Sequence, residues 1–278
     1  MGFCKKIFQL SQILTVLVAS LWFCCLLPSN SNAQTGLEVS EQINWSQLQP
    51  DLLHASATFS QGLLSTVYVD LIKTSLTSFE MRILRAQRYG QKVATAKELC
   101  SLSGASLCIN GSFFDEQRRA LGLLIERGIT VQKIQNSSSL LSGVIQSSVD
   151  GVSIIHREKF EPKKVLDALQ AGPRLVESGS LIEGLRLNDV SERRSGVCID
   201  INNNLIFFIV RSSVFGISTS ALQKLLIKPG IDCKDALNLD GGSSSQLFYK
   251  NSNKILDFPG LEPVPVAIGL VEKQSSTK

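Results

Sequence analysis

The segment Ala236–Gln246 constrains the fold most, because a short apolar run there ends abruptly in Asp240, two glycines and three serines. Glycine has no Cβ atom, so it lets the backbone approach a ligand or another strand closely. The segment Ala105–Asp115 has the same pattern, in which apolar residues lead into Asn110 and Gly111. Two strands that end in this way predict one common site at a sheet edge.

The first residues have the layout of a signal peptide. Lys5 and Lys6 precede an apolar run over residues 7–27, and small residues around Ala33 form a cleavage site. We therefore expect residues 1–33 to be removed and the body to be exported, either to the periplasm or as a secreted protein. The alternative is an uncleaved N-terminal anchor, since the run is just long enough to cross a bilayer. No later run is that long, which predicts no stable membrane span in the mature chain.

The composition indicates a folded globule, with 44% hydrophobic and 19% charged residues. The net charge of +4 includes two leader lysines, and there is no long basic run, so no nucleic-acid partner is predicted. Four of the seven cysteines follow the leader. They are interpreted either as the pairs Cys100 with Cys108 and Cys198 with Cys233, or as buried thiols. Their spacing is not that of a zinc site, so no metal and no cofactor is predicted.

Alternating apolar residues and turn signals predict a chain made mostly of hairpins. The predicted strands are residues 63–72, 79–85, 121–125, 129–131, 141–146, 152–156, 174–177, 197–201, 205–210, 236–239 and 263–271. Three short helices are predicted: one capped by Thr95 that ends at Leu102, one over Lys163–Gln170, and one over Thr219–Ile227. The expected fold is α+β, with mixed, mostly antiparallel sheets in a single compact domain. That domain is predicted over residues 63–273, after a polar and partly irregular segment over residues 34–62.

Four motifs follow one another in a distinctive order. They are Asn110-Gly111-Ser112-Phe113-Phe114, Gly172-Pro173-Arg174-Leu175-Val176, Arg194-Ser195-Gly196-Val197 and Asn238-Leu239-Asp240-Gly241-Gly242-Ser243-Ser244. In this order and spacing, residues 63–271 resemble the phosphodiester glycosidase domain, also called the uncovering-enzyme domain. Two departures stand out. The family commonly has a third glycine where this chain has Ser243, and Thr-Ala where this chain has Ser195 and Gly196.

The resemblance implies cleavage of a sugar-1-phosphodiester, with a sugar phosphate or a phosphate-containing envelope or extracellular glycan as partner. A phosphate monoester leaves more readily than an alkoxide, so one carboxylate can suffice where ordinary glycosidases use two. Asp240 is the predicted nucleophile or base, Arg194 the bidentate phosphate clamp, and Asn110 the residue that orients substrate oxygens. The predicted substrate-binding residues are Gly111, Arg174, Asn238, Gly241, Gly242, Ser243 and Ser244, with the glycine amides forming an anion-binding nest.

Other interpretations remain open. The chain is alternatively a non-catalytic envelope protein that binds glycan phosphates without cleaving them. A serine hydrolase is less favoured, because the serine cluster lacks the Gly-x-Ser-x-Gly pattern and only His156 lies within the matched region as a base. Arg194 is alternatively half of a solvated pair with Arg193, and Arg174 part of a structural salt bridge. Asp200–Asn204 is interpreted as a hairpin turn rather than a calcium loop.

Overall fold

The computed structural model describes residues 38–39, 43–60, 66–185, 190–212 and 216–273. The signal peptide predicted over residues 1–33 lies outside the described residues. Within them, nineteen strands form three sheets, accompanied by two α-helices, and the described pairings are antiparallel. The predicted α+β fold in one compact domain is therefore confirmed.

The elements follow one another along the chain as short strands joined mainly by turns. The strands are β1 (Glu38–Val39), β2 (Ser46–Gln49), β3 (Leu52–Ser60), β4 (Thr66–Thr74), β5 (Phe79–Arg85), β6 (Leu107–Asn110), β7 (Leu124–Glu126), β8 (Ile129–Gln132), β9 (Gly143–Ser148), β10 (Gly151–His156), β11 (Val165–Ala171), β12 (Arg174–Glu177), β13 (Ser180–Leu181), β14 (Arg194–Asp200), β15 (Leu205–Ser212), β16 (Cys233–Asn238), β17 (Leu247–Lys250), β18 (Ile255–Phe258) and β19 (Val266–Glu272). The helices are α1 (Ala96–Ser103) and α2 (Thr219–Leu226).

The largest sheet has the strand order β1-β3-β4-β15-β14-β16-β12-β13, with β2 paired to β3. The second sheet has the order β10-β9-β11-β7-β8, and the third β18-β17-β6-β19-β5. The main core lies between the sheets and includes fully buried residues from each of them, such as Phe207, Ile145 and Ile268. Burial of each such side chain contributes about 1.5–3 kcal/mol. The α2 helix covers the other face of the largest sheet, and α1 packs on the third.

Both helix starts predicted from capping residues are confirmed. The Thr95 hydroxyl accepts the N–H of Glu98, and the Glu98 carboxylate accepts the N–H of Thr95, which completes a capping box. At α2, the Ser218 hydroxyl accepts the N–H of Ala221. These side chains satisfy backbone donors that the first helical turn leaves without partners.

The helix predicted over Lys163–Gln170 is wrong, because these residues belong mainly to strand β11. Pro162 and Gly172 fit the start and the end of a helix, but β7 and β9 pair with both edges of this segment and satisfy its backbone groups. The polar segment 34–62 also holds more regular structure than expected. Strand β3 within it buries Ala55, Ala57 and Phe59 on one face, and its small alanines gave a weak apolar signal.

The two disulfides correspond to the pairing proposed from sequence. Cys100–Cys108 joins α1 to β6, and Cys198–Cys233 joins β14 to β16, with Cα–Cα distances of 5.7 and 5.8 Å. Among the described helices, none has the length and apolar character needed to cross a membrane. The described part of the chain also contains no group of three or more His, Cys, Asp or Glu side chains arranged to hold a metal ion.

Candidate active site

The ends of β6 and β16 meet at the seam between the largest and the third sheet. The N–H of Asp240 donates to the Gly111 carbonyl at 3.1 Å, and the Asn110 side-chain amide donates to the Asp240 carbonyl at 2.8 Å. The Ser195 hydroxyl donates to the same Asp240 carbonyl at 3.1 Å. Two other sequence motifs, those of Asn110 and Ser195, therefore hold the backbone of Asp240 in one position.

Asn110 has a positioning role in this geometry. Its side chain is fully buried, and its Oδ1 accepts the Ser195 hydroxyl at 2.8 Å and the N–H of Gln246 at 3.1 Å. The described polar contacts of this amide are all with the protein, and its predicted contact with substrate oxygens stays a prediction. Asn110 instead connects β6, β14 and the chain that leads into β17.

The Asp240 carboxyl is half-buried at the end of β16. Burial raises its pKa to about 6, with additional contributions from the negative charges of Glu262 and Glu192. Hydrogen bonds from the Ser244 hydroxyl and the Gly241 N–H act in the opposite direction, since they stabilise the ionised form. A carboxyl with a pKa near neutrality can exchange protons during a reaction, which makes Asp240 the strongest candidate for chemistry here.

The predicted amide nest of Gly241 and Gly242 is not available to an anion in this structure. The Gly241 N–H bonds the Asp240 carboxylate, and the Gly242 N–H donates to the Arg193 carbonyl at 2.8 Å. The turn therefore fixes the carboxylate and joins it to the chain just before β14.

Arg194 lies on the strand next to Asp240, but its guanidinium already has protein partners. Its Nη1 pairs with Glu192 Oε1 at 2.7 Å, and its Nη2 donates to the Val190 carbonyl at 3.1 Å. Arg194 is only 6% exposed, whereas the Glu192 side chain is 42% exposed. In this structure Glu192 and backbone carbonyls occupy the guanidinium that the sequence predicts to clamp a phosphate.

Glu192 is the site residue that the sequence interpretation missed. A Cβ atom built on Gly241 or Gly242 would lie 3.4 Å from a Glu192 carboxylate oxygen, so this carboxylate lies directly against the turn after Asp240. The available signal was an acidic residue two positions before Arg194, just ahead of a buried strand. It carried little weight, because an acid beside two arginines is typical of a solvated surface.

Glu262 closes the other side of the turn. It accepts hydrogen bonds from the Ser243 and Ser244 hydroxyls, and its Oε2 accepts Arg118 Nη1 at 2.7 Å. The bond from Ser243, followed by that from Arg118, holds the pKa of Glu262 below its usual range. Glu262 is therefore a charged anchor for the serines, and the serine cluster is tied to a carboxylate rather than to an imidazole.

Arg174 and Asn238 make structural contacts. Arg174 Nη1 pairs with Glu177 Oε1 at 2.8 Å, which agrees with the salt-bridge alternative. The Asn238 side chain is 3% exposed and donates to the carbonyls of Gly172 and Leu239. Asn238 thus supports the turn that leads to Asp240, and Arg174 takes part in a separate ion pair.

Comparison with known proteins gives the family. The sequence profile of the phosphodiester glycosidase family (NAGPA) matches residues 103–271, which is more than half of the chain. The chain belongs to this family. Phosphodiester glycosidases are hydrolases, so membership supports an enzymatic activity at the level of reaction class. The match includes the motifs that surround Asp240.

Individual relatives agree with this membership. The chain is 27% identical over 131 residues to the uncharacterized protein YigE of Escherichia coli K12. The match covers 44% of this chain and 52%, about half, of that relative's length. A hypothetical protein from Synechocystis has a similar structure, with TM-score 0.60 and 15% identity over 84% of this chain and 64% of that chain. The zebrafish N-acetylglucosamine-1-phosphodiester alpha-N-acetylglucosaminidase catalytic domain, auto-inhibited by pro-peptide, has TM-score 0.62 and 16% identity, with coverages of 84% and 87%. At these identities the structures confirm the fold.

Both departures from the phosphodiester glycosidase motifs have local physical reasons. A Cβ atom at Gly196, where alanine is common in the family, would overlap the ring of Phe208 on β15. Gly242 has a φ of 57°, a left-handed conformation that favours glycine, while Ser243 follows it within a 3₁₀ turn. The position with the left-handed backbone, Gly242, is therefore still a glycine. The serine lies one position later, at Ser243, where the backbone is not left-handed.

Proposed function

We propose that this phosphodiester glycosidase hydrolyses a sugar-1-phosphodiester with Asp240 as the general base. The observation that carries the proposal is the half-buried Asp240 carboxyl, whose pKa is raised to about 6 and whose backbone is held by two other motifs. Such a pKa suits a base better than a nucleophile, because proton transfer is most efficient when the pKa lies near the working pH. Asp240 takes a proton from water, the water oxygen bonds to the anomeric carbon, and the bond from that carbon to the phosphate oxygen breaks.

Arg194 binds the phosphate in this proposal once Glu192 has moved aside. Glu192 Oε1 lies 2.7 Å from Arg194 Nη1, and a phosphate oxygen replaces it there with equal or greater charge. The exposed position of Glu192 supports such an exchange. The departing phosphate monoester is a good leaving group, so a second carboxylic acid is not needed to protonate it.

The arrangement of charges disfavours a purely binding function. Three carboxylates, Asp240, Glu192 and Glu262, surround one turn, and two of them raise the pKa of the third. A glycan-phosphate receptor gains nothing from negative charge next to its anionic ligand, whereas a base gains a raised pKa. The two disulfides support our further proposal that the domain works outside the cytoplasm, since such bonds persist in oxidising compartments.

The direct test uses an N-acetylglucosamine-1-(4-nitrophenyl phosphate) diester in water enriched with ¹⁸O. Glycosidic cleavage places ¹⁸O in the released sugar and yields 4-nitrophenyl phosphate, and a water activated by a base gives the inverted anomer, visible by ¹H NMR. Label in the phosphate, or direct release of nitrophenol, would show cleavage at phosphorus and would overturn the proposal. A panel that varies the sugar then defines the preferred substrate.

The pH dependence follows from the state of Asp240. The base is active when ionised, so kcat/KM is expected to rise with pH and to level off above a midpoint of about 6. An aspartate with the ordinary pKa of 3.8 would place that midpoint more than two pH units lower. Initial rates between pH 4 and 9 at constant ionic strength measure it. A rate that instead falls through pH 6 would assign Asp240 as an acid.

Replacing Glu192 with glutamine is expected to lower KM and to move the pH midpoint downward. The change removes a charge that raises the pKa of Asp240, and it leaves Arg194 without its carboxylate partner. The expected decrease in KM is roughly two- to fivefold, the size of a partly exposed ion pair. Glu183→Gln, at an exposed site after β13, is the matched control. An unchanged or higher KM in Glu192→Gln would argue against the exchange at Arg194.

A further inference from the structure

A cleft of about 610 Å³ lies beside the candidate active site, between the second and the third sheet. Four basic residues, Arg85, Lys92, Arg118 and Arg119, line it together with four glutamines. Among the described residues that line this cleft there is no aspartate or glutamate. Its size is within the range of pockets that hold small ligands, and its basic side chains are suited to an anion.

The basic side chains keep donors for a ligand although three of them have ion-pair partners. Arg85 pairs with Glu126, and Arg119 pairs with Asp115 at 2.8 Å. A guanidinium has five N–H donors, so one carboxylate leaves part of this capacity unused. Lys92 is exposed at the rim.

Two routes connect the cleft to the Asp240 site. Val266, at the cleft floor, accepts the N–H of Gly111 at 2.9 Å, and the Gly111 carbonyl accepts the N–H of Asp240. Arg118 lines the cleft and also donates to Glu262, which binds the serines of the Asp240 turn. A ligand in the cleft therefore lies within a few residues of the turn that presents the carboxyl.

Arg118 has a left-handed backbone conformation, as do seven other described non-glycine residues. Its φ is 65°, in the left-handed region that favours glycine or asparagine, and its N–H donates to the Asp115 carbonyl at 2.8 Å to close a tight turn. A bulky residue in this conformation costs energy, which the contacts of the turn must offset. This conformation places Arg118 between the cleft, which it lines, and Glu262 beside the Asp240 turn.

We propose that this cleft binds the anionic chain of the substrate, a glycan that carries further phosphate groups beyond the bond to be cleaved. The assignment of this chain as substrate rests on the proposed function. Binding itself uses only the cleft residues and does not require Asp240 chemistry. Lys92 and the N–H donors that the three ion-paired arginines keep are spread over the cleft, which favours contacts with a repeated anion over contacts with a single phosphate.

The test is fluorescence anisotropy with a labelled hexamer of glycerol phosphate, a polyanion without a sugar-1-phosphate bond. The double variant Lys92→Gln/Arg119→Gln is expected to weaken binding about tenfold at 50 mM salt, and both proteins should bind less at 300 mM. Asp240→Asn should bind like the wild type. The matched control Lys224→Gln/Lys234→Gln removes two exposed cations on α2 and β16 and should have no effect.

Equal binding by the cleft variant and the wild type, or equal weakening in the control pair, would overturn the cleft proposal. KM for the small nitrophenyl diester should not change in the cleft variant, because that substrate does not extend into the cleft. The two proposals also fail separately. Hexamer binding without diester hydrolysis contradicts the proposed function alone, and hydrolysis without cleft-dependent hexamer binding contradicts the cleft alone.

Discussion

Replacing Asp240 with asparagine is expected to lower kcat for the sugar-1-phosphodiester by about 10³-fold. Asparagine has nearly the same shape as aspartate and fits the same turn, but it cannot accept a proton from water. Loss of a positioned general base typically costs 10²- to 10⁴-fold. Steady-state rates measure the change. Calorimetry should give the variant about the same affinity for the intact diester as the wild type has for an unreactive analogue.

The same substitution is expected to make the protein more stable. The pKa of Asp240 in the folded protein is about 6, above its ordinary value of 3.8, so the folded state binds a proton more tightly than the unfolded state. Ionisation above pH 6 therefore costs folding free energy, and this cost disappears as the pH falls through 6 towards 4. The Asp240→Asn substitution removes this cost, so the gain in Tm should be larger at pH 8 than at pH 5, as measured by thermal unfolding.

A matched control separates the effects of losing the Asp240 charge from the general effect of an aspartate-to-asparagine substitution. Asp235→Asn, on the same strand, alters a carboxylate that accepts the N–H of Ser178, far from the turn. It should leave kcat nearly unchanged. Full activity in Asp240→Asn would end the assignment of Asp240 as base, and a lower Tm at pH 8 would mean that the charge is stabilised in the fold rather than tolerated.

Replacing Asn110 with alanine is expected to lower both stability and activity. The variant loses three buried hydrogen bonds, to the Asp240 carbonyl, the Ser195 hydroxyl and the N–H of Gln246. At about 1 kcal/mol for each bond, the free energy of unfolding falls by about 3 kcal/mol. For a domain of this size that lowers Tm by roughly 6–12 °C. Activity falls as well, because the Asp240 backbone loses an anchor, and kcat should decrease more than KM increases.

Ser112→Ala is the control for that experiment. Ser112 is also buried next to Gly111, but its hydroxyl has no hydrogen-bond partner among the described residues. Its removal should change Tm by less than about 2 °C, because no bond is lost. If Asn110→Ala were equally mild, the amide would not be the anchor that its contacts indicate.

The sequence predicts where strands β6 and β16 end, and the structure brings these two ends into contact. Apolar runs that stop at Asn110 and at Asp240 are local signals, and the order of the motifs along the chain indicates that they belong together. The partners of these residues were not predictable in the same way. Glu192 and Arg118 reach the site from surface segments, so their roles depend on how the chain returns to one place, which single-sequence patterns do not encode. The wrong helix over residues 163–170 has a similar cause, because strand pairing on both edges decided its conformation.

The cystine Cys198–Cys233 has a practical consequence for anyone who produces this protein. It cross-links β14, which begins at Arg194, to β16, which ends two residues before Asp240, and it closes a loop with a sequence separation of 35. Protein produced in a reducing bacterial cytosol would lack this disulfide. Absence of activity in such a preparation would therefore not show that the tested substrate is wrong. The protein should therefore be expressed in an oxidising host or as a secreted protein before any candidate substrate is rejected.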